Sequence, residues 1–318
     1  MFWLITSVYS YFNNGVIIEQ DEHYITYKQN LVEGEGTASI YPLLSGIEII
    51  QLDFLASHYI PAVHREKNIL TINHCLEGRA ECRMSDGCLQ YIGEGDLFLN
   101  TMQNPSDSIE LPLGFYHGIV VMIDLDKVAA EISDLLPGIP IQIGELVKSF
   151  FIEDDCFLIQ SKDDIQHIFS GMYTIPSQAR SLYFRIKIVE LLLYLYYFDP
   201  VKEKQKRFYA RQQVDIVKQI EKQMIGEPSR RFTIEELAQQ HCISPTALKA
   251  YFKGVYGKSI AAYMKEYRIR QAASLLRETN QSVADIAMSV GYESQSKFGA
   301  AFKEMMKITP LEYRKKFF

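Results

Sequence analysis

The chain has 318 residues, 47% of them apolar and 23% charged, and no tract is dominated by a few residue types. This composition is typical of a folded globular protein and excludes a disordered or low-complexity chain. Charge is unevenly distributed: residues 1–207 hold 15 Lys and Arg against 28 Asp and Glu, whereas residues 208–318 hold 18 against 11, a net charge of +7. The basic last third favours contact with a polyanion, although a solvated helical surface is the alternative.

The cysteines and the first residues bear on the cell compartment. Five cysteines are present, with no CxxC or Cys/His spacing, which favours reduced thiols over a disulfide frame or zinc site. The opening MFWLITSVYSYF is apolar but has neither a positive start nor a cleavage site, so a signal peptide is not expected. Together these features predict a cytoplasmic protein.

From Val16 to Asp124 the sequence is typical of short strands separated by glycine-containing turns. Apolar, β-branched runs occur at Ile47–Leu55, Ile69–Cys75 and Ile119–Ile123, and Ser85–Gly87 predicts a hairpin turn. Many short strands without intervening helices predict a small antiparallel barrel or sandwich, a fold that commonly encloses a cavity.

Within this region the run ILTINHCLEGRAECRMSDGCLQYIGEGDLFLN (Ile69–Asn100) resembles the cupin-like sensor domain of bacterial regulators. The resemblance is carried by the LEG turn, the hairpin that follows it, and GEGD before an apolar strand. It implies a cupin-like antiparallel β-barrel over residues 1–125 that senses a small-molecule effector.

The histidines were tested for a metal site, because catalytic cupins use two or three His and a carboxylate. His58, His64, His74 and His117 are present, but the chain has no His-x-His pair. Thr101–Ser106 stands where a cupin would place its last His. We therefore expect no metal, no cofactor and no catalytic residues.

Several side chains of the same region are candidates for effector binding. His64 and Arg65 could hold an anionic or polar effector through charge-assisted hydrogen bonds, or be ordinary residues of the barrel mouth. The aromatic residues are either pocket walls or core. The candidate effector-binding residues are Tyr59, His64, Arg65, His74, Tyr91 and Tyr116.

Residues 126–199 change in character and predict a helical connector. Ser161–Asp164 has the capping-box pattern ahead of a helix over Ile165–Tyr173. Ser177–Phe198 is apolar on nearly all sides but is interrupted by charges, so it is too short and too charged to cross a membrane. If the barrel covers one face of this helix and a second subunit the other, the protein is a homodimer. The polar residues 200–207 are the predicted linker.

The segment Thr233–Arg314 contains one motif twice. The first copy, LAQQHCISPTALKAYFK, spans Leu237–Lys253, and the second, IAMSVGYESQSKFGAAFK, spans Ile286–Lys303. Ser244 and Ser294 pair at an offset of 50 residues, whereas residues before the turn pair at 49, so the second turn is one residue longer.

Each copy has the signals of two short helices joined by a tight turn. Thr233 and Ser282 begin capping boxes, and Ser244 and Ser294 are suited to N-cap the second helix of each pair. This is the helix-turn-helix arrangement. A purely structural helical pair is the alternative.

A recognition helix must place small or hydrogen-bonding side chains toward the major groove. Gln can hydrogen-bond adenine through two atoms, whereas Lys at the helix end suits phosphate. The candidate DNA-binding residues are Ser244, Thr246, Lys249, Ala250 and Lys253 in the first copy, and Ser294, Gln295, Ser296, Lys297, Gly299, Ala300 and Lys303 in the second.

Residues 208–318 resemble the DNA-binding domain of the AraC-type (arabinose-regulator) transcription factors. The resemblance is carried by LAQQHCISPTALKAYFKGVYG at Leu237–Gly257, YMKEYRIRQAASLL at Tyr263–Leu276, and SVADIAMSVGYESQSKFGAAFK with TPLEYRK at Ser282–Lys315. It implies two helix-turn-helix units joined by a long helix, and it makes Ser177–Phe198 a plausible dimer helix.

The chain departs from that family's pattern at three positions. Ala300 stands where the family usually has Arg, Lys307 where it has Gly, and Ile260 where Pro is common. Without Arg at 300 the second unit lacks a strong base or phosphate contact. We therefore expect the two helix-turn-helix units to differ in how strongly they recognise DNA sequence.

These predictions together describe a multidomain α and β chain: a cupin-like antiparallel β-barrel, a helical connector, and an all-α double helix-turn-helix over 208–318. The expected function is a DNA-binding transcription regulator whose partners are double-stranded DNA, an unidentified effector and a second copy, with no membrane. The alternatives are a cupin-type metal enzyme fused to a DNA-binding module and an architectural DNA binder without an effector.

Overall fold

The computed structural model describes residues 15–31, 34–60, 68–84, 89–101, 106, 108–128, 142–151, 156–203 and 211–317. The chain divides into two compact units, Met1–Phe208 and Tyr209–Phe318. The described part of the first unit is rich in strands, and that of the second is helical.

The strands of the first unit range in length from two residues to eleven. They are β1 (Gly15–Gln20), β2 (Ile25–Leu31), β3 (Gly34–Leu44), β4 (Ile47–Ala56), β5 (His58–Tyr59), β6 (Ile69–Gly78), β7 (Ala80–Arg83), β8 (Leu89–Ile92), β9 (Leu97–Thr101), β10 (Ser108–Glu110), β11 (Tyr116–Asp124) and β12 (Cys156–Ile159).

These strands form two antiparallel sheets. The larger has the order β1-β2-β3-β4-β11-β6-β9-β12 and the smaller β5-β10-β7-β8. β11 lies in the middle of the larger sheet, with Val120 opposite Ile50 of β4 and opposite Asn73 of β6. The antiparallel, sheet-rich fold is as predicted, but among the described residues the strands do not close into a single barrel.

Side chains alternate between the two faces of the larger sheet, as a strand's two-residue period requires. In β4, Ile47 and Ile49 belong to a core that the helices cover, whereas Ile50 and Leu52 belong to a second core. The smaller sheet contributes residues such as Cys82 to that second core. The central strands of the larger sheet are therefore buried on both faces, whereas the edge strand β1 is exposed.

Helices cover the first face. They are α1 (Ile143–Phe150), α2 (Asp163–Thr174) and α3 (Ser177–Tyr197). α3 places Phe184, Ile188 and Leu191 in the core, each at most 1% exposed.

Two details of the region 126–199 differ from the prediction. It contains strand β12, which pairs with β9 at the edge of the larger sheet, and is therefore not wholly helical. In addition, α2 begins at Asp163 with Lys162 as N-cap residue and no side-chain cap. Ser161 instead accepts a hydrogen bond from the Gln166 side chain at 3.3 Å, so the predicted capping box at Ser161 is wrong.

The second unit consists of seven helices within residues 211–317. They are α4 (Arg211–Gly226), α5 (Ile234–Gln240), α6 (Pro245–Tyr256), α7 (Ile260–Glu278), α8 (Val283–Ser289), α9 (Gln295–Met306) and α10 (Pro310–Phe317). The paired residues of the two motif copies, Leu248 with Phe298 and Phe252 with Phe302, are all fully buried.

Two backbone positions in each motif copy are left-handed. Cys242 (φ 54°) and Gly291 (φ 84°) lie in the turns, 49 residues apart, and Gly257 (φ 73°) and Lys307 (φ 64°) end α6 and α9, 50 residues apart. A left-handed conformation costs a non-glycine residue about 1–2 kcal/mol. Each copy therefore has glycine at one of its two left-handed positions and a strained residue at the other.

We expect Lys307→Gly to stabilise the second unit by about 1 kcal/mol, because glycine adopts this helix-ending conformation without a Cβ clash. The measurement is thermal unfolding of the full chain, where the transition of a unit of this size should rise by about 4 °C. Gly257→Ala, at the equivalent position of the first copy, is the matched control and should lower that transition. A lower transition for Lys307→Gly would contradict the assignment of strain to this residue.

Candidate DNA-binding surface

The first helix-turn-helix unit is formed by α5 and α6. Thr233 caps α5 by accepting a hydrogen bond from the Glu236 amide at 3.1 Å, and Ser244 caps α6 by accepting from the Ala247 amide at 3.1 Å. In the turn between them the Ile243 amide donates to the Ala238 carbonyl at 3.0 Å. The predicted caps of this unit are confirmed.

The second unit, α8 and α9, repeats this geometry. Ser282 accepts from the Asp285 amide at 3.1 Å and Ser294 from the Lys297 amide at 3.3 Å. The turn bond recurs 49 residues later, from the Tyr292 amide to the Ala287 carbonyl at 2.9 Å. The extra residue of the second copy is accommodated between Tyr292 and Ser294 and leaves the cap intact.

On α6 the predicted DNA-facing residues lie opposite the buried Leu248. They are all exposed: Ser244, Thr246, Lys249, Ala250 and Lys253. The Ser244 hydroxyl accepts the Ala247 amide and so fixes where α6 begins.

On α9 the same arrangement holds, with Phe298 and Phe302 facing inward. Gly299 is half-buried, and a Cβ added there would meet nothing within 4 Å, so the helix is open at this point. The exposed residues are Gln295, Ser296, Lys297, Ala300 and Lys303, and Ser294 is half-buried as the cap. The structure therefore brings both predicted sets onto exposed helix faces.

An ionic group that was not predicted from the sequence lies beside the start of α9. Glu293, the extra residue of the second turn, lies 3.6 Å from Arg231 and 3.6 Å from Lys297. All three side chains are exposed, so each pair contributes at most about 1 kcal/mol. The inserted acidic residue, four positions before Lys297, was the available signal, whereas its pairing with Arg231, 62 residues earlier, had none.

Arg268 of α7 links the two helix-turn-helix units. Its Nε donates to the Pro228 carbonyl at 2.8 Å and its Nη2 to the Arg230 carbonyl at 3.0 Å. A Cβ added to Gly291 would come within 2.8 Å of the same Pro228 oxygen. The loop before the first unit is therefore held against the turn of the second.

The four candidate effector residues that the structure describes are not gathered at one place. The Tyr91 hydroxyl is buried and donates to Glu81 at 2.5 Å, and the Tyr116 hydroxyl donates to Asn73 at 2.7 Å. Tyr59 packs at the edge of the core that contains Tyr116. His64 and Arg65 lie outside the described residues.

His74 lies on the other face of the larger sheet, beneath α2. Its ring stacks on Phe169 at 4.2 Å, and its Nδ1 is 2.9 Å from the Tyr173 hydroxyl. Burial lowers the pKa of His74 to about 4, so the ring is neutral at pH 7. This environment makes His74 part of the packing between sheet and helix.

No group of three or more His, Cys, Asp and Glu side chains in the described part of the chain is placed to hold a metal ion. Among those same residues, no helix is both long and apolar enough to cross a bilayer.

The second unit matches known proteins. Residues 237–316 match the family model described as "Helix-turn-helix domain". The chain is 40% identical over 89 residues to an AraC-like transcription regulator of Streptomyces lividans, which is 28% of this chain and 29% of that protein. It is 35% identical over 89 residues to the transcriptional activator RhaR of Mannheimia succiniciproducens, 28% and 32% of the two chains.

Among solved structures, the C-terminal domain of AraT, a response regulator of Geobacillus stearothermophilus, is 30% identical, with 34% of this chain and 88% of that one covered at a TM-score of 0.32. The chain spans about a third of the length of the curated relatives it matches. The second unit is thus a helix-turn-helix domain. More particularly, it is of the AraC type, as the resemblance of residues 208–318 predicted.

We expect Glu293→Gln to increase affinity for duplex DNA about threefold, because Arg231 and Lys297 become available to phosphate. The measurement is fluorescence anisotropy of the full chain with labelled DNA at several salt concentrations, where the salt dependence should also become steeper. Glu278→Gln, an equal charge change at a carboxylate that accepts from Ser274, is the control. Equal effects of both changes would indicate a general charge effect instead of release of this pair.

Proposed function

We propose that the chain is a one-component transcription regulator in which residues 208–318 read DNA and residues 1–125 sense a small molecule. The observation that carries the proposal is the pair of capped helices, α6 and α9, each with an exposed polar and basic face, in a part of the chain with a net charge of +7. The acidic, sheet-rich first unit is suited to a role other than contacting nucleic acid.

On this proposal α6 and α9 enter successive major grooves, about 34 Å apart. Ser244 and Ser294 place the helix N-termini, whose free amides favour phosphate. The protein acts without catalytic residues and works in the cytoplasm. The linker at 200–207 separates the effector and DNA functions.

The proposal also includes a homodimer formed through α3. Its outward face carries Leu182 and Ile186, which are 70% and 65% exposed, followed by the half-buried Val189 and Leu193. Their spacing of four, three and four residues is the pattern of a helix-pairing seam. A second copy of α3 would remove this apolar stripe from water.

The DNA function is tested by selecting binding sites for the full chain from random duplexes. We expect two short motifs about one helical turn apart. Thr246→Ala or Lys249→Ala should reduce discrimination between selected and random DNA by about tenfold, within the 1–3 kcal/mol of one base contact, whereas Ala300→Ser should change it less than threefold. Equal effects in both copies would contradict the asymmetry, and affinity that does not respond to salt would overturn the DNA proposal.

The dimer is tested by Ile186→Glu, which places a charge in the apolar stripe. We expect this variant to sediment as a monomer at micromolar concentration and to lose at least tenfold in affinity for a paired site, since the second domain no longer binds as part of one assembly. Gln178→Glu introduces the same side chain at an exposed polar position of α3 and should leave the dimer unchanged. A monomeric wild-type protein would overturn this part of the proposal.

A further inference from the structure

A cleft of about 750 Å³ lies on the helical layer of the first unit, outside both sheets. It is bounded by α2, by the last turns of α3 and by the segment 198–203. Its volume is within the usual range of small-molecule sites. Of the candidate effector residues predicted from the sequence, the four that the structure describes do not line it.

The floor of the cleft is apolar and largely aromatic. Leu193, Tyr194 and Phe198 contribute to it, and the Phe198 ring is held by a stacking contact with Phe150 at 5.8 Å between centroids. The Lys162 ammonium lies 4.6 Å from the centroid of the Phe198 ring. The floor therefore already accepts a cation over an aromatic face.

The cations of the cleft wall are neutralised by carboxylates. Lys162 pairs with Glu203 at 2.6 Å and Lys202 with Asp199 at 2.8 Å. These pairs leave little positive charge to attract an anion.

Glu190, the third paired carboxylate, is bound by Lys187 at 2.7 Å. The remaining carboxylate that lines the cleft, Asp164, has no hydrogen-bond or ion-pair partner in the described part of the chain. The wall thus presents one uncompensated carboxylate.

Tyr194 supplies a second unused polar group. Its hydroxyl oxygen is buried and has no hydrogen-bond partner among the residues that the structure describes. Burial raises the pKa of Tyr194 to about 12, and the charges of Asp164 and Glu203 add to the effect, so the phenol stays protonated. Its oxygen lone pairs are free to accept from a donor, and a buried polar group left unpaired is costly.

We propose that this cleft binds an organic cation, an amine with an apolar body. The ammonium group donates to the Asp164 carboxylate and to the Tyr194 oxygen, which a small rotation of the ring uncovers, and the apolar body covers the Phe198 ring. Charge-assisted hydrogen bonds of this kind are stronger than neutral ones. Tyr194 lies about a quarter turn of α3 from the stripe of Leu182 and Ile186, so the side of the cleft away from Leu193 stays accessible when the helices pair.

The position of the cleft gives the ligand a regulatory route, which rests on the proposed DNA function. Asp164 belongs to α2, whereas Phe198 and Glu203 belong to the segment that runs into the linker. A ligand that contacts both fixes the end of the first unit from which the chain continues to the DNA-binding unit. Differential binding to the fixed and free forms would then couple ligand to DNA affinity.

The binding test uses the full chain without DNA and three probes that differ in charge: 4-phenylbutylammonium, 4-phenylbutanol and 4-phenylbutanoate. By calorimetry we expect the cation to bind at least fivefold more tightly than the other two. Asp164→Asn should lose at least tenfold in affinity for the cation and Tyr194→Phe about threefold. Asp163→Asn, the exposed neighbouring carboxylate, which does not line the cleft, should bind as the wild type does. Equal binding of the three probes, or no effect of Asp164→Asn, would overturn the site.

A second arm measures affinity for selected DNA with and without 4-phenylbutylammonium. We expect at least a threefold change in the wild type and none in Asp164→Asn. If the cation binds but DNA affinity does not change, the regulatory role is overturned and the binding site itself stands. Because the first arm contains no DNA, failure of cation binding is separate from failure of the DNA proposal.

Discussion

The capped start of each recognition helix is the constraint on which the DNA-binding surface depends. Ser244 and Ser294 each accept the amide three residues ahead, at 3.1 and 3.3 Å. With the start fixed, a rotation of about 100° per residue determines which side chains face the core. Leu248 and Phe298, each four residues after its cap, are fully buried, and the opposite face is left exposed. The cap therefore determines which side chains of each helix are exposed.

The left-handed residues distribute strain differently in the two copies. The first copy has a strained Cys242 in its turn and a relaxed Gly257 after its recognition helix, and the second reverses this with Gly291 and Lys307. Gly291 cannot be replaced by a larger residue without a clash, because an added Cβ would lie 2.8 Å from Pro228 and 3.0 Å from Ser229. Lys307, by contrast, gains from its place at the C-terminal end of α9, where positive charge is favoured by the helix dipole. A lysine at this position thus exchanges backbone strain for favourable charge.

The features that could be predicted from the sequence are those that depend on contacts between residues close together in the chain. The helices and caps of the second unit depend on residues within four positions of one another, so Thr233, Ser282 and their partners could be read directly. β12 could not, because a four-residue apolar run such as Cys156–Ile159 fits a buried helix equally well. Its assignment depends on β9, more than fifty residues earlier.

The candidate effector residues could be chosen from the sequence only by residue type, because their positions in space depend on how distant strands pair. His74 lies on the face of β6 that packs under α2, whereas Tyr116 belongs to the core on the opposite face. The cleft at Asp164 and Tyr194 had no sequence signal, because it combines α2 with the end of α3, about thirty residues later. Tyr194 was part of an apolar run and gave no indication that its hydroxyl lacks a partner.

The position of the cleft also bears on how a regulator of this construction could respond to a ligand. A ligand enclosed between the two sheets would have to move tightly packed residues such as Phe54 and Tyr116, both at most 1% exposed, and packed cores resist continuous deformation. The segment 198–203 is held by the packing of Phe198 against Phe150 and Phe157 and by the Lys162–Glu203 pair at 2.6 Å, and its Val201 is 84% exposed. Ordering this segment requires no change in the core, yet it acts on the residues from which the chain continues to its DNA-binding unit. A modest binding energy is sufficient there, because a coupling of about 1 kcal/mol already changes affinity roughly fivefold.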